Sequence, residues 1–181
     1  MNTRFLGCIM AIVSTFALIA CAGTPSGPTK SETEFVDHFV VDDSIPLPSL
    51  ITISGYETAS NDVNMNDLSP TGERKKSEMV LVKFDHSITS KKAIAGIQAE
   101  KDLRPADITE CLAYGAALAQ ALQHTENSTP PNYGIVCLGK SPRDGHAHET
   151  PVLLYDAGNW HLTFEPFSTW LSDSRFLAVR T

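Results

Sequence analysis

The sequence predicts one α+β domain, a small and mostly antiparallel sheet packed by one main helix and one short helix. Three observations predict it. Ile108, Cys111, Leu112, Gly115, Leu118, Ala119 and Leu122 recur at helical period and make one stripe wide enough to cover a sheet. Short runs rich in β-branched and aromatic residues stand on either side of that stripe, separated by Pro, Gly and Asx clusters. The closing run 175–180 carries four apolar residues, Phe176 to Val179, almost to the end, as a strand paired inside a sheet does. A chain of 181 residues is enough for one such domain with a real core and short for two.

The chain opens with one basic residue, Arg4, an uncharged apolar stretch and then Cys21. The stretch is shorter than the roughly 20 residues a spanning helix needs and reads as a signal peptide over residues 1–20. Leu18, Ile19, Ala20 and Cys21 resemble a bacterial lipobox. That resemblance implies cleavage before Cys21, diacylation of its thiol and attachment to a membrane, since two or more acyl chains hold far better than one. Residues 21–33 then form the lipidated end and a tether of Gly, Pro, Ser and Thr with nothing to bury. By resemblance to sorting in diderm bacteria, Ala22 implies delivery to the outer membrane, facing the periplasm or the surface. The globular domain is placed at residues 34–181.

Within it, residues 35–41 and 50–53 read as strands, with Pro46 and Pro48 between them. Residues 54–77 read as a long polar loop, and Arg74, Lys75 and Lys76 as its solvated basic run. Residues 79–84 are almost continuously hydrophobic, which predicts a central strand buried on both faces. A short helix follows within residues 89–99, capped by a hydroxyl. Pro105 forbids helix upstream of the main one, over residues 107–123, where Asp107 and Glu110 have the spacing of a capping box. Residues 135–138 predict a buried strand. Residues 151–155 and 160–164 predict a hairpin with a four-residue turn.

Arg104-Pro105-Ala106 with Glu110, Leu112 and Ala113, then Ile135-Val136 with Leu138-Gly139, and Arg175 to Arg180 resemble a family of uncharacterised bacterial proteins. That family reads R-P-A-T-x-x-E-L-L-A, then I-V-A-L-G, and closes on R-F-L-A-V-R. Asp107 stands where its members carry Thr, and Cys111 and Cys137 where Leu and Ala are usual. The Arg-Pro lead into the helix and the final strand are also similar to C-type-lectin-like domains related to formylglycine-generating enzymes. That likeness implies a helix on a small antiparallel sheet with the last strand central. The paired-Cys active motif of those enzymes is missing, so their activity is not implied.

The formal charge of −7 and pI near 5.3 argue against nucleic acid, whose binding needs clustered Lys and Arg. Cys111 and Cys137 meet if the main helix packs on the strand at 135–138, either as a disulfide or as two core thiols; no activating base lies nearby for a catalytic Cys. His146 and His148 form the one ligand-grade pair, weighed against a solvated loop because zinc needs three or four ligands. Trp170 is the natural anchor for a ligand if exposed, and a core or loop-pinning ring if not. No cofactor and no metal are implied. The reading that results is a membrane-anchored envelope lipoprotein, non-enzymatic, presenting a binding or structural surface to an envelope protein or glycan. The competing class is an envelope hydrolase with a metal at the His146 and His148 loop.

Overall fold

The computed structural model describes residues 31–54, 57–58, 72–124, 131–139, 149–156, 159–166 and 168–181. In chain order the elements are β1 (Ser31–Asp42), α1 (Leu47–Ser54), β2 (Glu57–Thr58), β3 (Arg74–Phe84), β4 (Ile88–Thr89), α2 (Ser90–Ala99), β5 (Leu103–Pro105) and α3 (Ile108–His124). They continue as β6 (Ile135–Val136), β7 (Glu149–Asp156), β8 (Asn159–Pro166), β9 (Thr169–Trp170) and β10 (Arg175–Arg180). The domain is α+β with a mostly antiparallel sheet. Among the described residues the main sheet runs β1-β3-β10-β6-β7-β8-β2, with β5 also pairing β10, and β4 with β9 form a separate ribbon. Only the β10–β6 and β2–β8 pairs are parallel.

Two neighbouring strands, β3 and β10, explain why the core has two halves. In β3, Met79 and Leu81 point to one face and Val80, Val82 and Phe84 to the other, all 3 % exposed or less. In β10, Leu177 and Val179 join the first set and Phe176 and Ala178 the second. The first face packs against α3 and α1 through Ile108, Leu112, Leu47 and Ile51. The second packs against α2 through Ala93 and Ile97, with Trp170 of the ribbon closing it. The continuous hydrophobicity of residues 79–84 therefore has the meaning the sequence suggests, burial on both sides. Helices cover both faces, where the sequence predicts a main helix on one.

The sequence and the structure differ locally in several places, β2 lying inside the predicted loop at 54–77 among them. Residues 50–53, read as a strand, lie inside α1. Pro48 is at its second position, where a missing amide hydrogen costs nothing, and Leu47 and Ile51, four apart, bury together against α3. β3 starts at Arg74, so the basic run is strand and not loop: Arg74 pairs with Asp42 at 2.6 Å and Lys75 with Asp43 at 3.3 Å. The β7–β8 pairing extends to Asp156 opposite Asn159, leaving a two-residue connection in place of four. β1 begins ahead of the predicted strand at residue 35, and its register shifts by a bulge between Phe35 and Asp37.

The start of α3 is fixed as the sequence reads. The Glu110 amide donates to Asp107 Oδ1 at 3.0 Å and the Asp107 amide to Glu110 Oε2 at 3.0 Å, a reciprocal capping box. The chain entering it is stitched to the sheet, because the Ala106 amide donates to the Leu177 carbonyl and the Gly139 amide to the Ala106 carbonyl, both at 2.9 Å.

Candidate functional site

Cys111 and Cys137, 26 positions apart in sequence, are joined as a disulfide with Cα atoms 6.2 Å apart. Both are buried beneath α3, at 0 % and 1 % exposure. That placement follows from the helix stripe meeting the extension of β6, and it leaves no thiol in the described residues for nucleophilic work. Cys21, His146 and His148 lie outside the described residues. Among those that are described, no group of three or more His, Cys, Asp or Glu is arranged to hold a metal ion.

Trp170 is 9 % exposed. Its indole N–H donates to Ser90 Oγ at 2.8 Å, and Ser90 Oγ donates to the Ser168 carbonyl at 3.1 Å. The ring also meets Phe176 edge-on at 6.4 Å. The exposure that a ligand anchor needs is absent, and the contacts are those of a ring pinning β9 onto the start of α2.

Among the described residues a dense charge cluster surrounds Glu110, a carboxylate with 0 % exposure. Arg104 grips it with both ends of its fork, Nη1 to Oε2 at 2.7 Å and Nη2 to Oε1 at 2.5 Å, and Lys75 stands 3.3 Å from Oε1. Burial alone would push this carboxyl up, but Arg104, the Asp107 amide and Lys75 together outweigh it and hold the group below its ordinary 4.5. Asp107 moves the other way: burial, then the negative charge of Glu110, raise it above 3.8. Every oxygen of Glu110 is satisfied from within the protein, so the cluster is a clamp tying β3, β5 and α3, with no valence left for a ligand.

A second group of charged side chains gathers on the α3 side of the sheet, where β1, β3 and β10 lie side by side. A cavity of about 310 Å³ opens there, lined by Glu32, Thr33 and Glu34 of β1, Leu81 and Lys83 of β3, and Arg175 of β10. A neighbouring cavity of about 320 Å³ shares Glu32 and Lys83 and adds Ser31 and Asp85. Strand register sets the arrangement. Glu32 faces Lys83 and Glu34 faces Leu81, and because Phe176 pairs with Val82, Arg175 falls beside Lys83. No ion pair among the described residues joins Lys83 or Arg175 to Glu32 or Glu34.

Two tyrosines border this face. The Arg175 guanidinium lies 4.8 Å from the centroid of the Tyr133 ring, and its Nη1 donates to the Asp173 carbonyl at 2.8 Å, so the cation is held in place. Burial and then the charge of Glu34 push the Tyr133 phenol above its ordinary value of 10.0. Burial, then Tyr133 and Glu34, do the same for Tyr114, which is 2 % exposed. Both remain neutral phenols at physiological pH.

From the sequence alone Glu32 falls in the tether and Arg175 in a terminal strand. The available signal was the alternation of Glu32 and Glu34 with Thr33 and Phe35, which is strand periodicity and not tether composition. The convergence of β1, β3 and β10 has no local signature at all. Set against known protein families, curated proteins and solved structures, the chain matches none of them.

Proposed function

We propose that this chain is a lipid-anchored protein of the bacterial cell envelope and that its domain is a non-enzymatic binding module. The observation that carries the reading is the run Leu18-Ile19-Ala20-Cys21, with an apolar signal before it and a Gly, Pro and Ser tether after it. Two structural features support it. The buried Cys111–Cys137 disulfide suits a protein that folds outside the reducing cytoplasm. The charged cavity is lined by the first residues of β1, immediately after the tether, so an anchored domain would present it at the end held closest to the lipid.

The likeness to C-type-lectin-like domains belongs to the same proposal. It draws on α3 packed against an antiparallel sheet and on β10 lying between β3 and β6. The experiment is metabolic labelling of intact cells with a fatty-acid probe, comparing wild type with Cys21→Ser. Label in the wild type alone, with the protein in the membrane fraction, is the expected result. A mature wild-type protein free of label and soluble would end the anchor reading.

A further inference from the structure

We infer that the cavity between β1, β3 and β10 is a binding site for a small zwitterion bearing one carboxylate and one ammonium group, such as an amino acid or the free ends of a short peptide. The inference rests on the reading that the domain binds a ligand and is independent of the anchor.

Charge balance is the first argument. Lys83 and Arg175 stand side by side on adjacent strands and on one face, a like-charge pairing that an anion bound between the two would relieve. No carboxylate of the described residues pairs with either of them, although Glu32 is directly across from Lys83. Arg175 is pre-set for such an anion, held 4.8 Å from the Tyr133 ring centroid and by Nη1 donating to the Asp173 and Ser174 carbonyls, which leaves the Nε and Nη2 edge of the guanidinium to donate two parallel hydrogen bonds to a carboxylate.

Glu32 and Glu34 supply the second half. They line the same cavity from β1, two positions apart and so on one face, and give the ligand's ammonium group its counter-charge. Two acids and two bases sum to zero, so a neutral zwitterion leaves no charge unbalanced, whereas a lone anion would sit against both glutamates. Size and floor agree. At about 310 Å³ the cavity is at the small end of ligand sites, and Leu81, 3 % exposed, gives an apolar floor for a short aliphatic side chain.

The test is isothermal titration calorimetry on the purified full chain in detergent, with dialanine as the probe. Dialanine with both ends free is expected to bind, and N-acetyldialanine and dialanine amide each to bind at least about tenfold more weakly, since each loses one charged anchor. Glu34→Gln and Lys83→Gln are expected to weaken dialanine by about tenfold as well. Lys83→Gln carries most weight, because Arg175 also supports Tyr133 and its removal perturbs packing. Lys76→Gln, on an exposed position of β3 outside the cavity, should change nothing.

No heat from dialanine up to about 10 mM would overturn the inference. So would blocked forms binding as well as the free one, or inorganic phosphate binding as tightly as dialanine, which would make this a plain anion site. Tighter binding of glycerophosphoethanolamine would transfer the site to a lipid headgroup and overturn the assignment to an amino acid or peptide. An unlabelled Cys21 in the fatty-acid experiment leaves all of these outcomes standing, so the two readings fail separately.

Discussion

Replacing Glu110 by Gln keeps the shape of the most buried charged side chain in the described domain and removes only its charge and one acceptor. The two carboxylate oxygens serve four donors: Arg104 Nη2 and Lys75 at Oε1, Arg104 Nη1 and the Asp107 amide at Oε2. A glutamine keeps one oxygen and turns an NH₂ toward the other pair. The amide of Asp107 is fixed in the backbone, so the oxygen stays there and the NH₂ faces Arg104 and Lys75. Those side chains are 38 % and 35 % exposed and can turn toward water, which moderates the loss. Trapping a charge by breaking a buried pair costs roughly 3 to 5 kcal/mol. With the partners free to resolvate, the expected cost is about 2 to 3 kcal/mol. Urea unfolding at pH 7 followed by circular dichroism measures it, and Asp107→Asn, which keeps the cap, should cost under about 0.5 kcal/mol.

The pH dependence adds a sign to that prediction. The folded-state pKa of Glu110 lies below its ordinary value of 4.5, so its stabilisation is fully present above 4.5 and is lost as pH falls through the lowered value. The gap between wild type and Glu110→Gln should therefore close in acid. Asp107 contributes the opposite slope, because its raised pKa favours the folded state at low pH and disfavours it as pH rises past that value. A gap below about 1 kcal/mol at pH 7, or one that does not change with pH, would refute the clamp.

Four further perturbations test separate parts of the fold. Removing the disulfide with Cys111→Ala and Cys137→Ala together should cost about 3.5 kcal/mol by loop-closure entropy across its 26-residue separation, read by urea unfolding against the oxidised wild type. Gly139→Ala places a Cβ 2.5 Å from the Ala106 carbonyl oxygen and 2.7 Å from the Asp107 nitrogen, all backbone, and should cost about 2 to 3 kcal/mol. Gly72→Ala, at φ +75° with open space around it, should cost only about 1 kcal/mol, and equal losses at the two glycines would contradict this account. Ser90→Ala leaves the buried Trp170 N–H without an acceptor and should cost about 1 to 3 kcal/mol, whereas a neutral result in thermal unfolding would mean that β9 is not pinned through that bond.

What could be read ahead of the structure had local causes. The α3 stripe, its Asp107 and Glu110 cap, the β3 run and the β7–β8 hairpin each depend on residues within a few positions of one another, and each is in place. The errors came where one local signal outvoted another. The β-branched residues 51–53 suggested a strand, yet the burial of Leu47 and Ile51 against α3 made them helical. The basic composition of Arg74 to Lys76 suggested loop, yet Asp42 and Asp43 across the strand pair neutralised two of the three charges.

The sequence by itself determined the α+β class, the helix and most strands, and the signal-like start that motivates the anchor, because periodicity, caps and hydrophobic runs act over short distances. Only the tertiary structure decided that Cys111 and Cys137 meet, that Arg104 and Lys75 converge on Glu110, and that Glu32, Glu34, Lys83 and Arg175 share one cavity. Each of these depends on strand order and register between segments far apart in the chain, and pairing at that range leaves no trace in local composition.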